Sequence, residues 1–272
     1  MRILVIDNFF ERRDPAMRDM YSLIGKKHTL LFDYVVSPER EDYDFLWLGI
    51  YHRSLDIDFK QLFSHNTKPI IIDQADNEET IQRMELYSGL TNVTVLSRYL
   101  PNKPLESKCA EMGFTLKLLP WYVNPQRVPE NFKTCDVAFI CSQYGEREKI
   151  ASLLRYIERK TDYTATIGEY WGKEYLNRLS RCRISIVECG RFCLTQKYIE
   201  SSLANCVLIG DVPKYPENRL SVIDTFLFDV VELRNTIKEA LTLQRESARN
   251  KGYILDTFAN EGWFYNHLNS IL

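Results

Sequence analysis

Residues 183–213, RISIVECGRFCLTQKYIESSLANCVLIGDVP, decide how the chain reads. Arg183 to Val187 alternates and carries β-branched residues, as a strand does, and Glu188 to Leu194 holds a glycine among polar residues. Thr195 is placed to cap a helix running through Asn205, and Val207 to Ile209 is a short buried strand. The order strand, loop, helix, strand is a βαβ unit. Ligands of such units gather at the carboxyl ends of the strands and at the helix start, where backbone N–H groups lack partners. Lys197 and Glu200 are three residues apart and share one face of that helix. A cation there suits a phosphate and a carboxylate suits a sugar hydroxyl; the plain alternative is an exposed ion pair on a solvated face.

Toward the start of the chain the same alternation recurs. Arg2 to Ile6 reads as a strand, followed by a charged loop to Asp14, and Pro15 opens a helix to about Ile24. Strands at Thr29–Val35 and Phe45–Ile50 follow, the second ending in Tyr51-His52-Arg53, then a helix from about Asp56 to Phe63. The strand Pro69–Ile72 ends in DQADNEE, Asp73 to Glu79, where Asp76 or Asn77 can cap a helix through Tyr87. Val93–Leu96, a helix Pro104–Met112 stopped by Gly113, and Thr115–Leu119 complete the series. Strands separated by helices require a parallel sheet with right-handed crossovers.

The stretch 120–134, PWYVNPQRVPENFKT, breaks the rhythm, because its prolines disfavour helix and central strand. It suits an exposed passage between domains. A second series then begins with strand Asp136–Cys141, loop Ser142–Glu146, helix Arg147–Lys160 and strand Thr164–Ile167. Loop Gly168–Gly172, which contains Tyr170 and Trp171, and helix Lys173–Ser180 lead into residues 183–213. Beyond them a short strand is expected near Phe226–Phe228, with helices over most of Val231–Leu272. The fold class is therefore α/β, with two Rossmann-like domains whose parallel sheets face a cleft. The domains are expected at 1–122 and 123–272, with the helix at about 261–272 a candidate to pack back on the first.

Composition supports a globular chain. Its 272 residues exceed a usual single domain, and 45% hydrophobic with 26% charged residues is ordinary for folded soluble proteins. A net charge of -2 argues against bulk nucleic acid as a partner. No apolar run is long enough for a transmembrane segment, and MRILVIDNFF lacks the core and cleavage site of a signal peptide, so a cytoplasmic location is expected. The seven cysteines form no CxxC pair, and Cys189 and Cys193 have no neighbouring histidine to complete a zinc site. Reduced, mostly buried thiols and no bound metal are the expectation.

The string LKLLPWYVNPQRVPENFKTCDVAFICSQYGERE, from Leu116, resembles the interdomain passage of GT-B glycosyltransferases. Residues 183–213 resemble the donor-site segment of the same enzymes, especially a group similar to bacterial spore-maturation glycosyltransferases within the family-four-like enzymes. DVVELRNTIKEAL and RNKGYILDTFANEGWF are similar to that group's closing helices, so the likeness covers about Leu116 to Phe264. It implies a UDP- or GDP-sugar donor as substrate, a glycan or glycoconjugate acceptor and no cofactor; it leaves the oligomeric state open. By this resemblance Glu200 holds the ribose hydroxyls, Lys197 lies near the diphosphate, and Arg147 is a second diphosphate contact. Thr195 and Gln196 offer backbone N–H groups to the phosphates, while Tyr144, Gly168, Tyr170, Trp171 and Glu188 line the donor side.

One position departs from the pattern. Retaining family-four members carry a glutamate eight residues before the one matched to Glu200, and Phe192 stands there; Glu188 is twelve before. Retaining transfer would rest on Lys197 and Arg147 neutralising the leaving group, whereas inverting transfer would need a base. Asp14, His52, Asp73 and Asp76, at strand ends of the first domain, are the candidates. Alternatives are a fucosyl- or exostosin-like inverting transferase, a sugar-nucleotide epimerase or hydrolase on the same fold, and a non-catalytic α/β binding protein.

Overall fold

The computed structural model describes residues 1–8, 15–34, 41–50, 52, 55, 58–59, 68–74, 77–99, 101–142, 145–188, 194–215, 218–225 and 227–272, with backbone alone at 77–79. In chain order, β1 (Arg2–Ile6), α1 (Pro15–Gly25), β2 (Thr29–Asp33), β3 (Phe45–Leu48), β4 (Ile70–Gln74), α2 (Asn77–Arg83), β5 (Val93–Ser97), α3 (Lys103–Glu111) and β6 (Thr115–Leu118) come first. A single 3-10 turn, Pro125–Arg127, marks the proline-rich stretch. Then follow β7 (Cys135–Ile140), α4 (Glu146–Lys160), β8 (Ala165–Gly168), α5 (Gly172–Ser180), β9 (Cys182–Val187), α6 (Gln196–Leu203), β10 (Val207–Gly210), β11 (Val222–Asp224), α7 (Val230–Ala240), α8 (Gln244–Asp256) and α9 (Glu261–Asn269).

The chain divides into two compact units, Met1–Tyr122 together with Glu261–Leu272, and Val123–Asn260. The first holds a sheet of order β2-β1-β3-β4-β5-β6 and the second a sheet of order β11-β10-β9-β7-β8. All neighbouring strands run parallel. Strand order reverses between β1 and β3 in the first sheet and between β7 and β9 in the second. At such a reversal the crossover connections leave to opposite faces, which opens a crevice at the strands' carboxyl ends.

Local chemistry explains the elements. Ile3 to Ile6 are wholly buried, as expected of a strand covered on both faces. Pro15 supplies the fixed φ of a first helical residue in α1, and Ala16, Met17, Met20, Tyr21, Leu23 and Ile24 form its buried stripe. In α4 the stripe is Ile150, Ala151, Leu154 and Ile157, packed on Val137, Phe139, Ile184 and Ile209 of the second sheet. Asn102 caps α3 by accepting from the Leu105 N–H at 3.0 Å, and Asp229 caps α7 through Val231 and Glu232. Helix α9 sits in the first unit: the Tyr265 hydroxyl donates to the Leu23 carbonyl at 2.6 Å, Lys26 pairs with Glu261, and Phe264 packs on Tyr122.

Two sequence expectations need correction. β4 continues through Asp73 and Gln74 instead of ending at Ile72. A carboxylate is tolerated inside a buried strand because Arg98 pairs with it, both side chains being 0% exposed. The edge strand beside β10 is Val222–Asp224, not Phe226–Phe228, because the β-branched pair Val222-Ile223 lies in register with Leu208 and Ile209. The helix expected near Asp56–Phe63 falls largely outside the described residues.

Candidate functional site

The reversal point of the second sheet gathers charge. β7 ends at Ile140 and β9 at Val187, so Cys141 and Ser142 on one side and Glu188 on the other flank the crevice. Arg147, in the first turn of α4, donates from Nε to Glu188 Oε2 at 2.7 Å. Lys197, in the first turn of α6, points its ammonium toward the same edge, 5.0 Å from the centre of the Phe139 ring. Burial draws its pKa down to about 8; Cys141 and Glu188 act to raise it, and Arg147 to lower it further. Burial likewise pushes the Cys141 thiol up, against the attraction of Lys197 and Arg147. Two cations therefore converge here, one bonded to Glu188 and one whose charge burial makes costly.

Backbone groups add to this field. Thr195 holds the extended conformation of an N-cap residue, yet its side chain makes no cap hydrogen bond, contrary to the capping expected of it. Gly145, at φ 58°, precedes α4 with no side-chain cap either. Among the described residues, neither N-cap residue caps its helix through a side chain, unlike Asn102 of α3 and Asp229 of α7, and the positive dipole ends of α4 and α6 follow the two strands that flank the crevice. Gly210, at φ +129°, closes β10 so tightly on β9 that a Cβ would lie 2.2 Å from the Val187 carbonyl oxygen. Only glycine fits that approach, and it fixes where Glu188 leaves the strand.

Glu200 occupies a different pocket of surroundings from Lys197, although both lie on α6. Its carboxylate, in a residue only 7% exposed, accepts from Arg127 Nη2 at 3.2 Å. The Tyr175 hydroxyl donates to it as well; burial and the Glu200 charge hold that phenol well above its ordinary pKa. The exposed ion pair on a solvated face is therefore excluded by burial. Tyr170 packs against Gly168 and lies under the Arg178 guanidinium at 4.0 Å, which commits its ring to local packing. Trp171, at 73% exposure, presents its indole to solvent at the start of α5. Ser142 donates to Glu169 at 2.8 Å beside that loop.

Of the candidate bases of the first unit, Asp73 and His52 are engaged. Asp73 takes Arg98 Nε at 2.9 Å on one oxygen, and Arg98 Nη2 with Trp47 Nε1 on the other. His52 is 0% exposed; its Nδ1 bonds to the Gly49 carbonyl and must be the donor, so in the neutral ring Nε2 accepts from the Tyr87 hydroxyl at 2.7 Å. Its ring is thus buried and bonded within the unit. Asp14, Tyr144, Asp76 and Phe192 lie outside the described residues. Among the described residues no group of three His, Cys, Asp or Glu side chains could hold a metal ion, and no helix is long and apolar enough to cross a membrane. Sequence reading missed Arg127, Tyr175 and Cys141, whose roles depend on partners distant in the chain.

No protein-family profile and no curated protein sequence matches the chain. Solved structures do. The T4 phage β-glucosyltransferase in complex with its UDP-glucose substrate superposes with a TM-score of 0.65 at 11% identity, over 99% of each chain. Sucrose-phosphate synthase from Thermosynechococcus elongatus gives 0.64 at 8% identity, over 100% of this chain and 98% of that one. TarM gives 0.54 at 11% identity, over 83% of this chain, which spans only 54% of TarM. At these identities the likeness establishes the fold, the parallel α/β architecture of GT-B glycosyltransferases.

Proposed function

We propose that the chain is a glycosyltransferase that moves a sugar from a UDP- or GDP-sugar to a hydroxyl of a glycan or glycoconjugate. The observation that carries this reading is the convergence of Lys197, Arg147 and two helix starts at the reversal point of the second sheet. That arrangement suits a diphosphate, whose negative charge grows as the glycosidic bond breaks. Lys197 and Arg147 would neutralise the leaving group, Glu188 would hold Arg147 in place, and the N–H groups of Thr195 and Gln196 would meet the phosphates. Glu200 would accept from the ribose hydroxyls. Trp171 is better placed than Tyr170 to flank the base, because its ring is exposed. The UDP-glucose bound by the phage enzyme of the same fold puts uridine first among the bases to test.

Membership of the spore-maturation-like group belongs to the same proposal and rests on the motifs between Leu116 and Phe264. With Asp73 and His52 bonded within their own unit, Asp14 becomes the first base to test for an inverting course. Calorimetry with UDP, GDP and their glucose conjugates, followed by transfer assays with and without acceptor glycans, tests the function. Nucleotide binding with acceptor-dependent sugar release supports it. Turnover of donor alone at the same rate would return the epimerase or hydrolase reading, and no nucleotide binding would return the non-catalytic one.

A further inference from the structure

Glu200 is a carboxylate in a buried position, and burying a charge is costly unless partners replace its water. Its partners come from two distant segments: Arg127 from the turn Pro125–Arg127, and Tyr175 from α5. The turn is itself built rigidly. Asn124 Oδ1 accepts from the Gln126 N–H at 3.0 Å, the Arg127 N–H donates to the Asn124 carbonyl at 3.1 Å, and Pro125 fixes its own φ. The guanidinium is thus delivered by a short capped turn with little freedom to wander, and only 19% of its side chain is exposed.

We infer that Arg127 is a positioning residue for nucleotide recognition: it holds the Glu200 side chain oriented so that its carboxylate can meet the nucleoside part of the donor. The inference rests on the reading that Glu200 takes the ribose. The rigid, planar guanidinium delivers Nη2 to Glu200 Oε1 in a fixed direction, whereas a lysine ammonium supplies a point charge on a flexible stem. Arg127 therefore acts through Glu200, while the diphosphate is held separately by Lys197 and Arg147.

This separation supplies the test. UDP, GDP, ADP and inorganic pyrophosphate are titrated by calorimetry into the full chain and into Arg127→Met and Arg127→Lys. Positioning predicts that the preferred nucleotide weakens by roughly ten- to hundredfold in Arg127→Met and by less in Arg127→Lys, with pyrophosphate affinity unchanged in both. A general loss of structure would weaken pyrophosphate together with the nucleotide, and that result overturns the inference. Unchanged nucleotide affinity in both variants overturns it too while leaving the donor site standing. If the unaltered chain binds no nucleotide more tightly than pyrophosphate, the ribose role of Glu200 fails, and the inference with it. Should Arg127→Met not fold, Arg127→Lys alone decides: its nucleotide affinity must fall while its pyrophosphate affinity holds.

Discussion

Replacing Lys197 with methionine separates its charge from its bulk. With a pKa of about 8, about nine-tenths of the molecules carry the ammonium at pH 7 and about one-tenth at pH 9. A bound diphosphate favours the charged form and stays ionised across that range, so nucleoside diphosphate affinity should fall about tenfold between the two pH values. At pH 8, where half of the sites are neutral, binding should take up about half a proton, measurable by calorimetry in buffers of different ionisation heat. Lys197→Met should bind roughly ten- to hundredfold more weakly at pH 7 and lose most of the pH dependence. The sign for folding runs the other way. Because the folded pKa lies below the ordinary 10.5, the cost of the buried charge is present in full below about pH 8 and is relieved as pH rises toward 10.5. The ligand-free methionine variant should therefore melt higher at pH 7. A flat affinity profile in the unaltered chain, or an equal slope in the variant, would refute the placement of Lys197 against the diphosphate.

Arg98→Met leaves Asp73 charged and wholly buried, so urea denaturation should show a loss of about 3–5 kcal/mol, largely recovered by adding Asp73→Asn; a loss below about 1 kcal/mol would contradict the ion pair. Gly210→Ala forces a methyl against the Val187 carbonyl at a positive φ and should cost at least about 1–3 kcal/mol in the same assay, with weaker nucleotide binding as the β9 end shifts Glu188. If Lys197 and Arg147 carry the leaving-group charge, sugar transfer should proceed at the same rate in EDTA, and restoration of a lost rate by manganese would oppose that assignment.

Legibility followed the range of the interactions concerned. β1, α1, α3 and α4 can be read from local pattern because their apolar spacing, caps and stop residues lie within a few positions of one another. β4 cannot be bounded that way, since what allows Asp73 to stay in the strand is Arg98, 25 residues later. β11 is set by its register on β10, which no local pattern announces. In the candidate site, α6 and its two charged residues are visible as a helix following a strand, but the spacing of Lys197 and Glu200 misleads. It implies one shared face, whereas Lys197 is drawn to the β7–β9 edge and Glu200 to Arg127, 73 residues away. Likewise, nothing around His52 in sequence foretells its burial beneath Tyr87.

Helix α9 makes the first unit a discontinuous domain, because residues 261–272 belong with 1–122 while 123–260 form the other unit. On the ribosome, the inserted unit has its whole sequence available first. The unit that was started earlier must wait, with the seat around Leu23, Lys26 and Tyr122 still open, until α9 emerges. A fragment ending at 122 would keep that apolar seat exposed and would be prone to aggregate, whereas 123–260 is the piece whose boundaries cut no packed helix away.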